Sequence, residues 1–377
     1  MANTLTPIIP DLYQGLDVVS RELVGLIPSV HRNSTEERAA VGQPIIYPIT
    51  GEPTIEAITS SMTISTPADF ALESGSMVID KGGKVSFGWA GEQQRKIATS
   101  TGYMTVQADL FAQAVRKLTN QMESDVAVAG YRGASRAFGT SGTNPFATDF
   151  NAVADVRKIL DDNGAPASER SIAMDTTAGT ALRKMSQLTK VNESGSTMGL
   201  RDGELLNIHG FSLKESAGIA YHTKGTGAGY LVNGTLAVGA TTITVDTGTG
   251  TILAGEVITF AGDTNKYVVA EALAGGSLKI AKPGLRVAPA DNAAVTVANS
   301  YRGNLFFARN AIHLVSRPPA IPSGGDARVD EYMITDPRSG MTFEVSLWQG
   351  ERMNKMEVAA VWGIGVVKPE HVGIMLG

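Results

Sequence analysis

The stretch from Met104 to about Ala129 limits what this chain can become more than any other. It reads MTVQADLFAQAVRKLTNQMESDVAVA and contains neither proline nor glycine. Apolar residues recur every four positions, at Val106, Leu110, Ala114, Leu118, Met122 and Val126. Phe111, Val115 and Ala129 widen the stripe, while Arg116, Lys117, Asn120, Glu123 and Asp125 fall on other faces. The spacing predicts one amphipathic helix with a single buried side and a mostly solvated charged flank. At about 1.5 Å per residue it would span roughly 40 Å, long for a globular helix. Asp109 stands near its start, and Gly130 and Gly133 near its end, where caps and breakers belong. A helix of this length must lie along a sheet, another helix or another subunit.

What precedes the helix is of a different kind. Residues 1–32 hold a proline-punctuated arm and then LDVVSRELVGLIPSV, in which Leu16, Val19, Leu23 and Leu26 share a helical face that Pro28 ends. That helix docks on its own domain or on a neighbouring subunit. From Gly42 to Trp89 come short β-like runs, PIIYPIT, EAITSSMTIST, SMVID and KVSFGW, interrupted by Pro44, Pro48, Pro53 and Pro67. Prolines at this density favour edge strands or a long hairpin over a central strand. Asp80-Lys81-Gly82-Gly83-Lys84 has turn composition and is the expected hairpin tip. An excursion with so little local burial needs something to lie on.

After the helix, Thr140–Pro145 breaks the chain, and 148–163 reads as a second helix. Arg170–Asp175 follows as a strand, Thr176–Met185 as a helical piece, and Glu204–Leu213 as a turn and strand. Residues 225–299 are rich in Gly, Thr, Ala and Val, and the runs TITVD, EVITF, KYVVAEA, SLKIA and AVTV alternate with turns. That pattern suits a small all-β barrel or sandwich inserted into an α/β stretch. Leu305–Val315 reads as a short helix ended by Pro318-Pro319. MTFEVSLWQG and KMEVAAVWGIGVV follow as antiparallel strands, with Asn354 between them.

Chemistry is sparse. The chain has no cysteine, so disulfides, thiolate nucleophiles and Cys-ligated zinc are excluded, and a reducing cytoplasm is the expected place of folding. His31, His209, His222, His313 and His371 are isolated, none at metal-ligand spacing. Gly225-Thr-Gly-Ala-Gly lacks the helix and Lys-Ser/Thr of a phosphate loop and reads as a flexible linker. Asp161-Asp162 points two ways from a helix and reads as a solvated helix end. There is no GxSxG elbow. A net charge of −5 argues against sequence-specific nucleic-acid binding as the main work. The longest apolar run, Val358–Val367, is short of the ~20 residues of a membrane helix, so a soluble protein without a membrane span is expected. No catalytic constellation and no cofactor site is expected, which tilts the reading toward structural or assembly work.

The order of parts is an N-terminal helix, a long β excursion, an uninterrupted spine helix, a compact α/β domain, a β insertion and closing strands. It resembles the major capsid proteins of tailed bacteriophages that share the HK97-type coat fold. The inserted β-domain, together with LDVVSRELVGLIPSV, NLFFARNAIHLVSRPP and the ending VWGIGVVKPE, is similar to the P22-like coat protein branch. The resemblance implies an α+β fold with an N-arm (1–41), an extended β loop with flanking strands (42–90), and a peripheral domain with the spine helix (91–144). It further implies an axial domain in two parts (145–224 and 300–325), an insertion domain (225–299), and closing peripheral strands (326–377). It implies a non-enzymatic virion protein, assembled in a bacterial cytoplasm through pentamers and hexamers into an icosahedral shell around double-stranded DNA. Its partners would be further copies of itself, a scaffolding protein and a portal protein. Candidate subunit contacts are Leu16, Leu23 and Leu26 in the arm and Asp80, Lys81 and Lys84 at the expected tip. Asp263 and Lys266, in the loop Ala261–Lys266 of the insert, complete the set. A soluble enzyme or ligand-binding protein with an accessory β-domain, or a decoration protein binding through the insert, are the alternatives.

Overall fold

The computed structural model describes residues 25–50, 55, 58, 60, 72–98, 103–190, 207–336 and 339–377. In chain order the strands are β1 (His31–Ser34), β2 (Pro44–Thr50), β3 (Leu72–Val78), β4 (Lys81–Ala90), β5 (Arg136–Phe138), β6 (Arg170–Met174) and β7 (Phe211–Glu215). They continue as β8 (Tyr221–His222), β9 (Leu231–Val232), β10 (Thr242–Asp246), β11 (Val257–Phe260), β12 (Lys266–Ala274), β13 (Ser277–Ile280) and β14 (Val295–Val297). The last are β15 (Tyr301–Ala308), β16 (Ile312–Arg317), β17 (Arg328–Thr335), β18 (Thr342–Gly350), β19 (Met353–Val366) and β20 (Val372–Leu376). The helices are α1 (Gly91–Ala98), α2 (Tyr103–Gly133), α3 (Asn151–Asp162), α4 (Thr176–Lys184) and α5 (Ser186–Thr189). The mixed α+β class expected from the sequence is the one observed.

Helix α2 is the long helix the periodicity predicts; it runs past Gly130 and ends at Gly133. Phe111, Ala114, Val115, Leu118, Met122 and Val126 are all buried in the main core. Gly130 and Gly133 sit inside the helix because of what faces them. A Cβ on Gly130 would lie 2.5 Å from Leu305 Cδ1, and one on Gly133 2.7 Å from Val366 Cβ. They let α2 press against β15 and β19, and the helix ends only at the second of them. Asp109 is not the cap: it is exposed, in the helix's second turn.

Strand β19 is the axis of a six-stranded sheet. One of its edges takes all of β4, with Lys81–Ala90 against Trp362–Met353. The other edge takes β18 along its first half and β16 along its second. β17 extends the sheet beyond β18, and β1 lies parallel to β16 at the far side. The expected antiparallel pair is present, though its turn is Glu351–Arg352, and Asn354 lies inside β19 opposite Gln349.

A second, twelve-stranded hydrogen-bonded network runs β7-β6-β15-β20-β5-β12-β13-β10-β9, with β8, β11 and β14 attached. Helices α3 and α4 pack on β6, β7, β15 and β20 around Val153, Val156, Leu160, Leu182 and Phe306. Residues from Tyr230 to Val297 bury a separate apolar core that includes Ile243, Ile258, Tyr267 and Leu278. That β unit is stitched to the body, since Lys266 and Tyr267 of β12 pair with Ala137 and Arg136 of β5. The leading GTGAG segment is held rather than flexible. Gly225 N–H donates to the Glu256 carboxylate, and Gly227 N–H to Thr251 O at 2.9 Å.

Two sequence expectations give way here. Leu305–Val315 is not a helix but the end of β15, a single 3₁₀ turn (Arg309–Ala311) and the start of β16. Leu305, Phe306 and Phe307 are consecutive and all fully buried, because β15 is covered on both faces, as a strand between two layers must be. The second is the hairpin tip at 80–84. β3 pairs with β2 whereas β4 pairs with β19, so the chain changes sheets there instead of reversing. Gly83 belongs to β4, where a Cβ would meet Trp362 and Leu118 at 3.0 and 3.1 Å. Its composition reflects close packing under α2, not a turn.

Candidate subunit interface

Strands β2 and β3 form a two-stranded ribbon in register from Pro44↔Val78 to Thr50↔Leu72. Among the described residues neither strand pairs with any third strand. Pro44 and Pro48 accord with this edge position, since proline cannot donate to a second neighbour. The root of the ribbon is held. Gly42 N–H donates to Ile79 O at 2.7 Å and Ile79 N–H to Gln43 O at 3.0 Å. Met77 and Ile79 pack there with Ala39, Val315 and Val361. Apolar residues are exposed both at the root and beyond it: Val78 is 45% exposed, Ile46 71%, and Ile55 and Ile58, between the two strands in sequence, fully. A lone two-stranded ribbon is marginal in water, and its open edges invite pairing.

The N-terminal arm enters the described structure at Gly25, and its root is clamped to α2. Glu123 Oε1 accepts from Gly25 N–H at 2.8 Å, Leu26 N–H at 2.7 Å and Ser216 Oγ–H at 2.6 Å, and Oε2 accepts from Ile27 N–H at 2.9 Å. Burial pushes the Glu123 carboxyl above the usual glutamate range, and these four hydrogen bonds pull it back part of the way. Glu123 is therefore no solvated flank. Nor is Asp125, which accepts from Trp362 Nε1–H at 2.9 Å and pairs with Lys81 Nζ at 2.7 Å. Leu26 is 0% exposed among residues of its own chain, so it offers no surface to a neighbour. Leu16 and Leu23 lie outside the described residues.

The remaining candidates divide between free and engaged. Asp80 is exposed. Lys81 is tied to Asp125, and Lys84 lies 3.5 Å from Glu357, which Lys355 also approaches at 2.5 Å. In the loop Ala261–Lys266, Asp263 accepts from Tyr267 Oη–H at 2.7 Å and from Asn265 N–H at 2.8 Å. Burial and Asp263 together push the Tyr267 phenol up to about 12. Lys266 Nζ donates to Gly139 O, and Arg136 donates to Asn265. The loop is turned inward against β5, and Asp263 and Lys266 are both hydrogen-bonded within the chain. Asp161 is likewise engaged, 2.7 Å from the buried Arg170, which holds its carboxyl below the usual range.

A cluster that residue spacing did not reveal secures the segment after β1. Arg38 pairs with Glu331 at 2.8 Å and with Glu344, and Arg328 pairs with Asp326 and Glu331 at 2.5 Å and with Glu344 at 2.9 Å. The five residues come from three places in the sequence, so no local pattern joins them. Among the described residues no group of His, Asp and Glu could hold a metal ion, and no helix is long and apolar enough to cross a membrane.

Comparison with known proteins finds no matching protein-family model and no matching curated protein. Solved structures do match. A structure described as "Capsid structure of the Cyanophage P-SCSP1u" is 13% identical, covers 92% of this chain and 86% of its own, and superposes with a TM-score of 0.50. Structures from Mycobacterium phage Che8 (14% identical, 89% and 84% covered, TM-score 0.48) and Gordonia phage Cozz (11%, 93% and 86%, TM-score 0.46) also match. The likeness to the cyanophage capsid structure shows that the two chains share a fold.

Proposed function

We propose that this chain is the major coat protein of a tailed phage, self-assembling through pentamers and hexamers into an icosahedral shell around double-stranded DNA. One observation carries the reading: an extended ribbon, firmly rooted, on which Ile46 and Val78 are exposed, with Ile55 and Ile58 of the segment between its strands fully exposed among the described residues. An exposed apolar surface of this kind marks a protein–protein contact. A second copy supplies the partner, because closed symmetric shells repeat one contact many times. The fold shared with a cyanophage capsid structure supports the same reading.

In this reading the chain is of the HK97 type and its P22-like branch. The arm (1–41) and the ribbon reach neighbouring subunits, the spine helix (within 91–144) and the closing strands (326–377) form the peripheral domain, and 145–224 with 300–325 form the axial domain. Residues 225–299 are the inserted domain. Scaffolding and portal proteins are the further partners, the virion is the location, and the bacterial cytoplasm the place of assembly. The protein contributes no catalysis, and DNA is enclosed without sequence recognition.

Expression with and without a scaffolding protein, followed by negative-stain microscopy and sedimentation, tests the proposal. Closed particles are the expected outcome. Replacing Ile46 by Asp should abolish them while moving the unfolding midpoint by no more than an exposed substitution does, about 0.5 kcal/mol. A monodisperse monomer under every assembly condition would sink the coat-protein reading.

A further inference from the structure

The exposed ribbon sits on a pair of histidines. β1 and β16 run parallel in a register that sets His31 opposite His313. Their imidazoles stack with centroids 4.4 Å apart and planes 26° from parallel. Tyr47 of β2 brings its ring to 6.1 Å from that of His313, so the ribbon root meets the stack through this side chain. His31 Nδ1 is buried without a hydrogen-bond partner, whereas His313 bonds the backbone of Asn310. Burial, and then the facing His31, hold the His313 pKa below the usual histidine value.

Among the described residues no carboxylate is paired with either ring. Arg32 follows His31 on β1, and Arg309, just before β16, adds positive charge, while Asp336 acts on Arg32. β2 contributes Tyr47 as its one titratable residue, and residues 74–78 of β3 contribute none. Opposite His313, β19 presents Gly365 between Ile364 and Val366. A proton on one ring thus sets a cation against a second imidazole in a half-buried seat, and a second proton is opposed by the first.

We propose that the His31–His313 stack is an acid-sensitive seat for the β2–β3 ribbon, closed through Tyr47 while the stack is neutral and opened when it takes up a proton. Opening lets the ribbon change its angle at the root without unfolding the sheet behind it. The seat lies within one chain, so it acts in the isolated subunit as in any assembly and does not depend on the coat-protein role.

Hydrogen exchange of the full chain at about pH 8 and about pH 5, either side of the ordinary histidine pKa, tests this. After correction for intrinsic rates, peptides spanning 43–50 and 72–79 should lose protection at the lower pH. The loss should be about tenfold for each unit by which the folded-state pKa is displaced. His313→Phe and His31→Phe keep a ring in place but cannot titrate, and each should reduce that pH response, with the double variant abolishing it. Thermal melts at about pH 8 establish that the variants fold, and His313→Gln with His31→Gln replaces them if they do not. Protection in the native chain that is the same at both pH values, or an equal loss in the non-titrating variants, would overturn the proposal.

Discussion

Replacing Glu123 by Gln isolates the clamp that roots the N-terminal arm. Four donors converge on this carboxylate, three on Oε1 and Ile27 N–H on Oε2. A glutamine can present its carbonyl to the first three, but its amide nitrogen then confronts Ile27 N–H, donor against donor. One buried N–H left without an acceptor costs about 1–3 kcal/mol. The alternative is to let the root swing out, which exposes Leu26 and Ile27, both 0% exposed in the fold, at about 1.5–3 kcal/mol each. The single orphan is the cheaper course, so Glu123→Gln should stay docked and lose about 1–3 kcal/mol. Glu123→Ala orphans all four donors, and there release becomes cheaper than retention. Limited proteolysis should then cut near 25–30 in the alanine variant and not in the glutamine one.

The pH dependence of the same residue has a fixed sign. The folded-state pKa of Glu123 is raised, so its contribution to stability is complete below the unfolded glutamate pKa and is lost as pH rises through the folded value. The deficit of Glu123→Gln, measured by urea unfolding across the acid range, should therefore shrink as pH rises. A glutamine variant indistinguishable from the native chain at every pH, with the alanine variant no more protease-sensitive at the arm root, would refute this account of the clamp.

Two further substitutions test how α2 is fixed to the six-stranded sheet. Asp125→Asn keeps an acceptor for Trp362 Nε1–H and leaves Lys81 able to hydrate, so its urea midpoint should barely move. Asp125→Ala orphans the buried indole N–H and should cost about 1–3 kcal/mol. Gly133→Ala should destabilise by about 1–3 kcal/mol despite alanine's better helix propensity, because the new Cβ meets Val366 Cβ, which no rotamer change can move. A rise in melting temperature for Gly133→Ala would show that helix and sheet can separate freely at that point.

The spine helix was legible because its apolar stripe is local and periodic, and the structure adds only one residue at its start and four at its end. Those four were hidden because Gly130 and Gly133 look like breakers until Leu305 and Val366 are known to face them. The β-rich character of 225–299 was legible for the same reason, short alternating strands between turns. Leu305–Val315 was not, since a run buried on both faces has no period to separate strand from helix. The ribbon could be read as an edge element from Pro44 and Pro48, but its tip could not be placed, because the partners of SMVID and KVSFGW are set by residues far apart in sequence. Nothing local sets Glu123 and Asp125 apart from a solvated flank, for a related reason. Their donors, Gly25–Ile27, Ser216, Lys81 and Trp362, come from distant segments, and no spacing within α2 announces them.

The arm and the ribbon share one physical plan, and it bears on the order of events in the proposed assembly. Each has a root fixed by buried contacts inside its own chain: Glu123 with Leu26 and Ile27 for the arm, Met77 and Ile79 with Val315 and Val361 for the ribbon. On the ribbon the apolar Ile46 and Val78 are exposed among the described residues. Backbone order at the root costs about 1–2 kcal/mol per residue, and local burial can offset it there. Ile46, beyond the root, finds no such offset among the described residues, so in the proposed assembly the ribbon would gain stability on meeting a second subunit. Folding of the body and capture of the neighbour are then separate steps. Ile46→Asp should for that reason stop assembly at a folded subunit, whereas Glu123→Ala should weaken the subunit itself.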